Sequence, residues 1–258
     1  MSGHLTILRQ SLTRLDLQPP KAVTEAIELA EKANAAAASI APPPHGVLGA
    51  LIAEALIAGR DPAADKEVQR LRTLESIAPF AAASVRDWGE GHIVTALTEH
   101  ADAMLETFRV ESVTAGEALT AAFELVGDIE LNDSETFLRR GPKGAEAWAN
   151  ARAAVDRLNA LGQAWAALAE LTRFGSAGGY PVLRLADLDV DTLDKVGRTA
   201  DSWTIVRAGA RIELADRTTM PQRIASLADG RQEREQHQAD RLQAAVSRPF
   251  NGNRASLV

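Results

Sequence analysis

The chain has 258 residues, with 28 Lys and Arg against 35 Asp and Glu, a formal net charge of −7. Apolar residues make up 46% of it, aromatics only 4%, and cysteine is absent. That apolar share is too high for intrinsic disorder. The lack of thiols excludes a disulfide scaffold, a Cys-based zinc or iron–sulfur centre and a cysteine nucleophile.

Alanine, the best intrinsic helix former, is the conspicuous residue. Leu5, Leu8, Leu12 and Leu15 recur at spacings of three and four, which predicts an amphipathic helix closed by Pro19-Pro20. Val23, Ile27, Ala30 and Ala37 continue in a second helix that starts near Pro20. It ends at Pro42-Pro43-Pro44, because proline has no amide to donate and restricts the residue before it. Gly46 to Ala58 reads as a third, mostly apolar helix and is expected to be buried. Glu54 and a length well short of the ~20 residues of a membrane span argue against a transmembrane role. The N-terminus shows no clean signal-peptide core, so a cytoplasmic location is expected. Gly59 fits a helix C-terminal cap, and Asp61-Pro62 fits an N-cap followed by proline, opening a helix to about Ile77.

Ile93, Leu97, Ala101, Met104, Leu105 and Phe108 form the next helical face. Thr114-Ala-Gly-Glu117 has capping-box spacing and predicts a helix start, with the helix running to about Val126. Gly127 to Gly141 reads as a long connection. The clearest period follows, in Trp148, Ala151, Val155, Leu158, Gly162, Trp165, Ala169 and Thr172. It predicts a helix from Pro142 to Arg173, about 46 Å long at 1.5 Å per residue. Its seam suits another helix of this chain or of a second copy, with Gly162 and the alanines allowing close approach. Gly175 to Gly179 is the candidate hinge between a helical bundle domain, 1–174, and a C-terminal region, 175–258. In that region Tyr180 to Leu185 and part of Thr204 to Leu214 have strand-like texture. Met220 to Val246 reads as a last helix, before a polar tail from Ser247 to Val258. The expected fold is mainly α: a multi-helix bundle with a smaller, mostly helical C-terminal region that leaves room for a short β element.

Catalytic signatures fail on inspection. Phe174 stands where the G-x-S-x-G nucleophile elbow needs glycine, and neither Gly141-Pro-Lys-Gly144 nor Gly197-Arg-Thr199 completes a P-loop. Asp187, Asp189 and Asp191 mimic the opening of a calcium loop, but Thr192 and Arg198 replace its required glycine and glutamate. His92 and His100 are eight residues apart on one helix, ~12 Å along the axis and too far to share a metal. No catalytic residue, metal ligand or cofactor is therefore assigned.

Charge is the more informative feature. Glu99 to Glu135 holds ten acids, Glu99, Asp102 and Glu106 among them, against Arg109 alone, while the rest of the chain is near +2. Such a patch suits a basic partner or serves solubility. Arg139, Arg140 and Lys143 sit at the start of the long helix, where the helix dipole disfavours cations unless an anion lies nearby. The upstream acids, or an acidic or phosphate-bearing partner, would supply it. The C-terminal helix and tail, with Arg234 and Arg241, have a balance of only about +2, weaker than nucleic-acid binding usually shows.

The expectation is a non-catalytic helical structural or interaction protein in a larger assembly, a class that includes bacterial and phage particle-assembly components. Its partners would be other protein subunits, a second copy included, rather than a membrane. Candidate interaction residues are Glu99, Asp102, Glu106, Arg139, Arg140, Lys143, Trp148, Trp165, Arg234 and Arg241. Two alternatives stand beside it: a helical enzyme marked by His92, Glu99 and Asp102 around a pocket, and a nucleic-acid-binding accessory protein using the Arg-rich C-terminal region.

Overall fold

Alanine-rich stretches broken by Pro and Gly fold as helices throughout the described residues. The computed structural model describes residues 2–40, 44–175 and 180–246. Their order is α1 (Ser2–Leu15), α2 (Lys21–Ser39), α3 (Val47–Ile57), α4 (Lys66–Val126), α5 (Ser134–Arg139), α6 (Pro142–Thr172), a 3-10 turn (Pro181–Arg184), α7 (Val190–Val196), α8 (Ser202–Arg207) and α9 (Thr219–Val246). The fold is mainly α, and among the described residues there is no strand and no helix long and apolar enough to cross a membrane. Pro42 and Pro43, most of the candidate hinge, and the tail from Ser247 lie outside the described residues. Backbone contacts gather the chain into two compact units, Met1–Leu17 with Leu105–Val258, and Gln18–Met104. The boundary falls inside α4, and residues on both sides of 176–179 belong to the first unit.

The first unit is organised around α6, against which α1, α5 and α8 pack. Leu8, Leu12 and Leu15 supply the buried face of α1. The seam of α6 is Ala147, Ala151, Ala154, Leu158, Leu161, Trp165 and Leu168. It keeps the expected alternation of three and four but is rotated slightly from the expected stripe, so Trp148, Val155 and Gly162 are half-buried at its edge. A Cβ at Gly162 would meet no atom within 4 Å, so this glycine is not a site of close helix approach. Gly144 is such a site: a Cβ there would lie 2.1 Å from the Phe137 carbonyl oxygen in the turn from α5 into α6.

The connection expected from Gly127 to Gly141 contains α5, capped by Asp133. The capping box at Thr114 does not open a helix. Its hydroxyl bonds back to the Val110 carbonyl, and α4 runs on because Ala115, Leu119, Ala122 and Val126 are buried on one face. A cap contributes only ~1 kcal/mol, less than burial of such a face. The expected strand at Tyr180 to Leu185 is a 3-10 turn, and the Thr204 to Leu214 segment holds α8 followed by extended chain. The two still meet as backbones, Glu213 N–H donating to the Leu185 carbonyl at 2.7 Å and Ala215 N–H to that of Arg184 at 2.8 Å. With only these bonds between them, no sheet is built.

The second unit comprises α2, α3 and the N-terminal part of α4. Its helix is not the one expected from Pro62. Asp65 caps α4, accepting from Glu67 N–H at 3.0 Å, and the helix passes through Pro79, which faces solvent. There the carbonyl that loses its amide partner can be hydrated. Gly89 lets α4 meet α2 closely, since a Cβ would lie 2.9 Å from the Ala33 Cβ. The expectation that α3 is buried is overturned: Ala55 is its only buried residue, while Leu56 is 61% and Ile57 87% exposed. With Glu54 as its one charged residue, this helix has little polar surface to turn outward, so apolar side chains stay in water in this chain.

Candidate interaction surfaces

The acids expected to form a docking patch are spread along α4 and the connection to α5, and the fold answers most of them internally. Glu106 accepts two bonds from Arg109, at 2.8 and 2.7 Å, and these hold its carboxyl below the usual range. Glu111 accepts from Arg157 of α6, and Arg157 also donates to the Leu15 carbonyl at the end of α1. One guanidinium thus ties three helices. Arg207 of α8 bonds Glu130 and Asp128, which raise its pKa. Glu135 pairs with Arg139 at 2.6 Å.

Arg140 donates to the Leu125 carbonyl at 3.0 Å. That carbonyl lies in the last turn of α4, where acceptors lack helical partners and the dipole is negative. The cations before α6 are therefore directed at Glu135 and at the end of α4, while Lys143 is exposed. Glu117 and Glu124, seven residues apart on α4, remain at an open groove of about 620 Å³. Thr120 and Phe123 line it on one side, Val206, Ile212 and Arg211 on the other.

Trp148 and Trp165 serve the chain's own packing. The Trp148 indole N–H donates to the Leu131 carbonyl at 2.9 Å, with the Arg152 guanidinium 5.7 Å from the ring centroid. Trp165 is 1% exposed and donates to the Ala215 carbonyl at 2.6 Å. Arg234 of α9 bonds Asp194 and Asp191, tying α9 to α7 and neutralising part of the basic stripe. Arg241 borders an open cleft of about 1120 Å³ along α9, with Asp189, His237 and Leu242. Glu99, Asp102 and His92 are all exposed on α4. The His92 ring leans on Trp88, centroids 4.2 Å apart. No group of three or more His, Asp and Glu that could hold a metal occurs among the described residues.

The surface that sequence reasoning missed is apolar and lies in the second unit. Besides Leu56 and Ile57, it exposes Ile77 by 51%, Phe80 by 76% and Trp88 by 52%. Ile77, Phe80 and Trp88 stand three and eight residues apart, on one stripe of α4. Part of the signal was in the sequence: α3 is apolar apart from Glu54, a pattern that predicts burial within the chain, whereas the stripe from Ile77 to Trp88 crosses Pro79 and falls between the two expected helices. Compared with known protein families, curated proteins and solved structures, the chain matches none.

Proposed function

We propose that this chain is a non-catalytic helical interaction protein that works bound to other protein subunits in a larger assembly. The exposed apolar surface of the second unit carries the reading. Scattered exposed apolar residues are ordinary, but a short helix whose one charged residue is Glu54, with Ile57 87% and Leu56 61% exposed, is not. Large exposed apolar side chains gathered on one helix stripe, as Ile77, Phe80 and Trp88 are, mark protein contacts. The internal pairing of most of the acids and of Arg139, Arg140 and Arg234 leaves electrostatics a supporting part, with Glu99, Glu117 and Glu124 in the exposed remainder.

Sedimentation of the full chain over a range of concentrations, with Ile57→Ser and Phe80→Ser as variants, tests this. The expected result is a mass that rises above 27.5 kDa with concentration in the wild type and a weaker rise in the variants, helicity unchanged. A wild-type chain that stays monomeric throughout and binds no hydrophobic dye would overturn the reading.

A further inference from the structure

Three arginines that the first unit takes partly or wholly out of water are each held by a carboxylate. Arg223, 5% exposed, donates to the Leu183 and Glu213 carbonyls at 2.9 Å and lies 3.9 Å from the Glu213 carboxylate. Arg157 and Arg207 hold one and two carboxylates. Arg184, at the end of the 3-10 turn, is half-buried and has none. Its Nη1 donates to the Gly162 carbonyl at 3.0 Å, and its guanidinium carbon is 5.9 Å from the Trp165 ring centroid. Its Nε is buried without a hydrogen-bond partner among the described residues. Burial pulls its pKa down, and no carboxylate acts to restore it. A guanidinium taken from water needs compensation by a counter-ion or by full hydrogen bonding, and Arg184 has neither.

It borders an open pocket of about 410 Å³, within the range of small-molecule sites. Neutral donors surround that pocket: Asn159 and Gln163 from α6, and Thr199 from the segment before α8. Two carboxylates stand at its wall and both are engaged. Asp156 faces Arg14 at 3.7 Å, and Asp201 accepts the Thr204 N–H at 2.8 Å as the N-cap of α8.

We propose that this pocket binds a small oxyanion, a carboxylate or phosphate group, with Arg184 as its counter-ion and Asn159, Gln163 and Thr199 as neutral donors. The planar guanidinium suits both groups, and a charge-assisted bond in a partly desolvated pocket is stronger than one at an open surface.

The test is calorimetric titration of the full chain with inorganic phosphate and, separately, with acetate, at constant ionic strength held with chloride. At least one should bind saturably, and the preference between them separates a phosphate ligand from a carboxylate one. Arg184→Gln should abolish the binding. Because that change touches a half-buried side chain, Asn159→Asp is the second variant. It puts an anion in the pocket from an exposed position and should weaken binding about tenfold or more, the equivalent of one lost bond to a charged group. Sedimentation of both variants should match the wild type, which keeps this result separate from the assembly reading. Responses that are linear in both anions, or equal in wild type and Asn159→Asp, would overturn the proposal as a general salt effect only.

Discussion

In the unit formed by Met1–Leu17 and Leu105–Val258, Phe108, Phe137, Trp165 and Trp203 are each at most 1% exposed, and the indoles of both tryptophans find carbonyls. In the Gln18–Met104 unit the interior is mostly alanine, with Val23, Val68, Leu71, Ile93 and Leu97. Its largest apolar side chains, Phe80 and Trp88, face outward. Both units use the same helical periods. They differ in how many layers each period has to cover. Around α6 several helices close over the apolar stripe. In the three-helix unit α3 and the Ile77–Trp88 stripe of α4 leave large apolar side chains uncovered. Apolar content therefore reports a need for contact, not the place where that contact is made.

The largest effect should come from the closed core. Leu158→Ala removes a side chain with no exposed surface from the α6 seam and should cost about 2–5 kcal/mol in denaturant unfolding. A loss below about 0.5 kcal/mol would mean the seam packs no better than a surface. Helix propensity and packing conflict at Gly144. Alanine is the better helix former by ~1 kcal/mol, but its Cβ would stand 2.1 Å from the Phe137 carbonyl oxygen. Gly144→Ala should therefore destabilise by about 1–3 kcal/mol, as overpacking does. Gly162→Ala, with open space around it, should stabilise by about 0.5–1 kcal/mol. Equal signs at the two sites would contradict the packing described for α6.

Smaller effects are expected from charge. Replacing Arg139 and Arg140 together by Gln removes an exposed pair and a bond to the end of α4, and each should contribute only about 0–1 kcal/mol. A fall in thermal stability at both low and high salt would point to the carbonyl bond of Arg140; a fall at low salt alone would point to the pair.

Acid should weaken the first unit through its caps. The Thr136 hydroxyl and amide lower the Asp133 pKa, and the Thr192 amide lowers that of Asp189. A folded value below the unfolded one gives stability that is present above the ordinary aspartate pKa of about 3.9 and is lost as pH falls through the folded values. Asp133→Asn and Asp189→Asn should flatten unfolding curves measured below that pH. An unchanged slope would show that the caps carry none of it.

The smallest change in stability should belong to the open unit. Phe80→Ser, at a site 76% exposed, should move unfolding by less than about 0.5 kcal/mol while reducing association. A core-sized loss would mean that Phe80 is packed, and the contrast between the two units would fail.

Much of the helical layout was legible in order and type. α6 and α9 fall within a residue of their expected ends, and α1 and α2 stop a few residues before the prolines expected to close them, because proline and glycine stop helices locally and a leucine or alanine period runs unbroken between them. The continuity of α4 was not legible. Pro62, Pro79 and the Thr114 capping box are local stop or start signals, and tertiary burial of Ala115, Leu119 and Ala122 outweighs the last of them.

Of the candidate surfaces, the uneven charge could be read directly, but its partners could not. Arg157 reaches Glu111 across 46 residues of chain and Arg207 reaches Glu130 across 77, separations on which periodicity is silent. The same limit hid Arg184, whose isolation is visible only once every neighbouring carboxylate has been placed. Composition and spacing thus determined that the chain is helical and which residues avoid water. Tertiary structure decided which of them succeed, because burial and ion pairing depend on what the rest of the chain brings to each face.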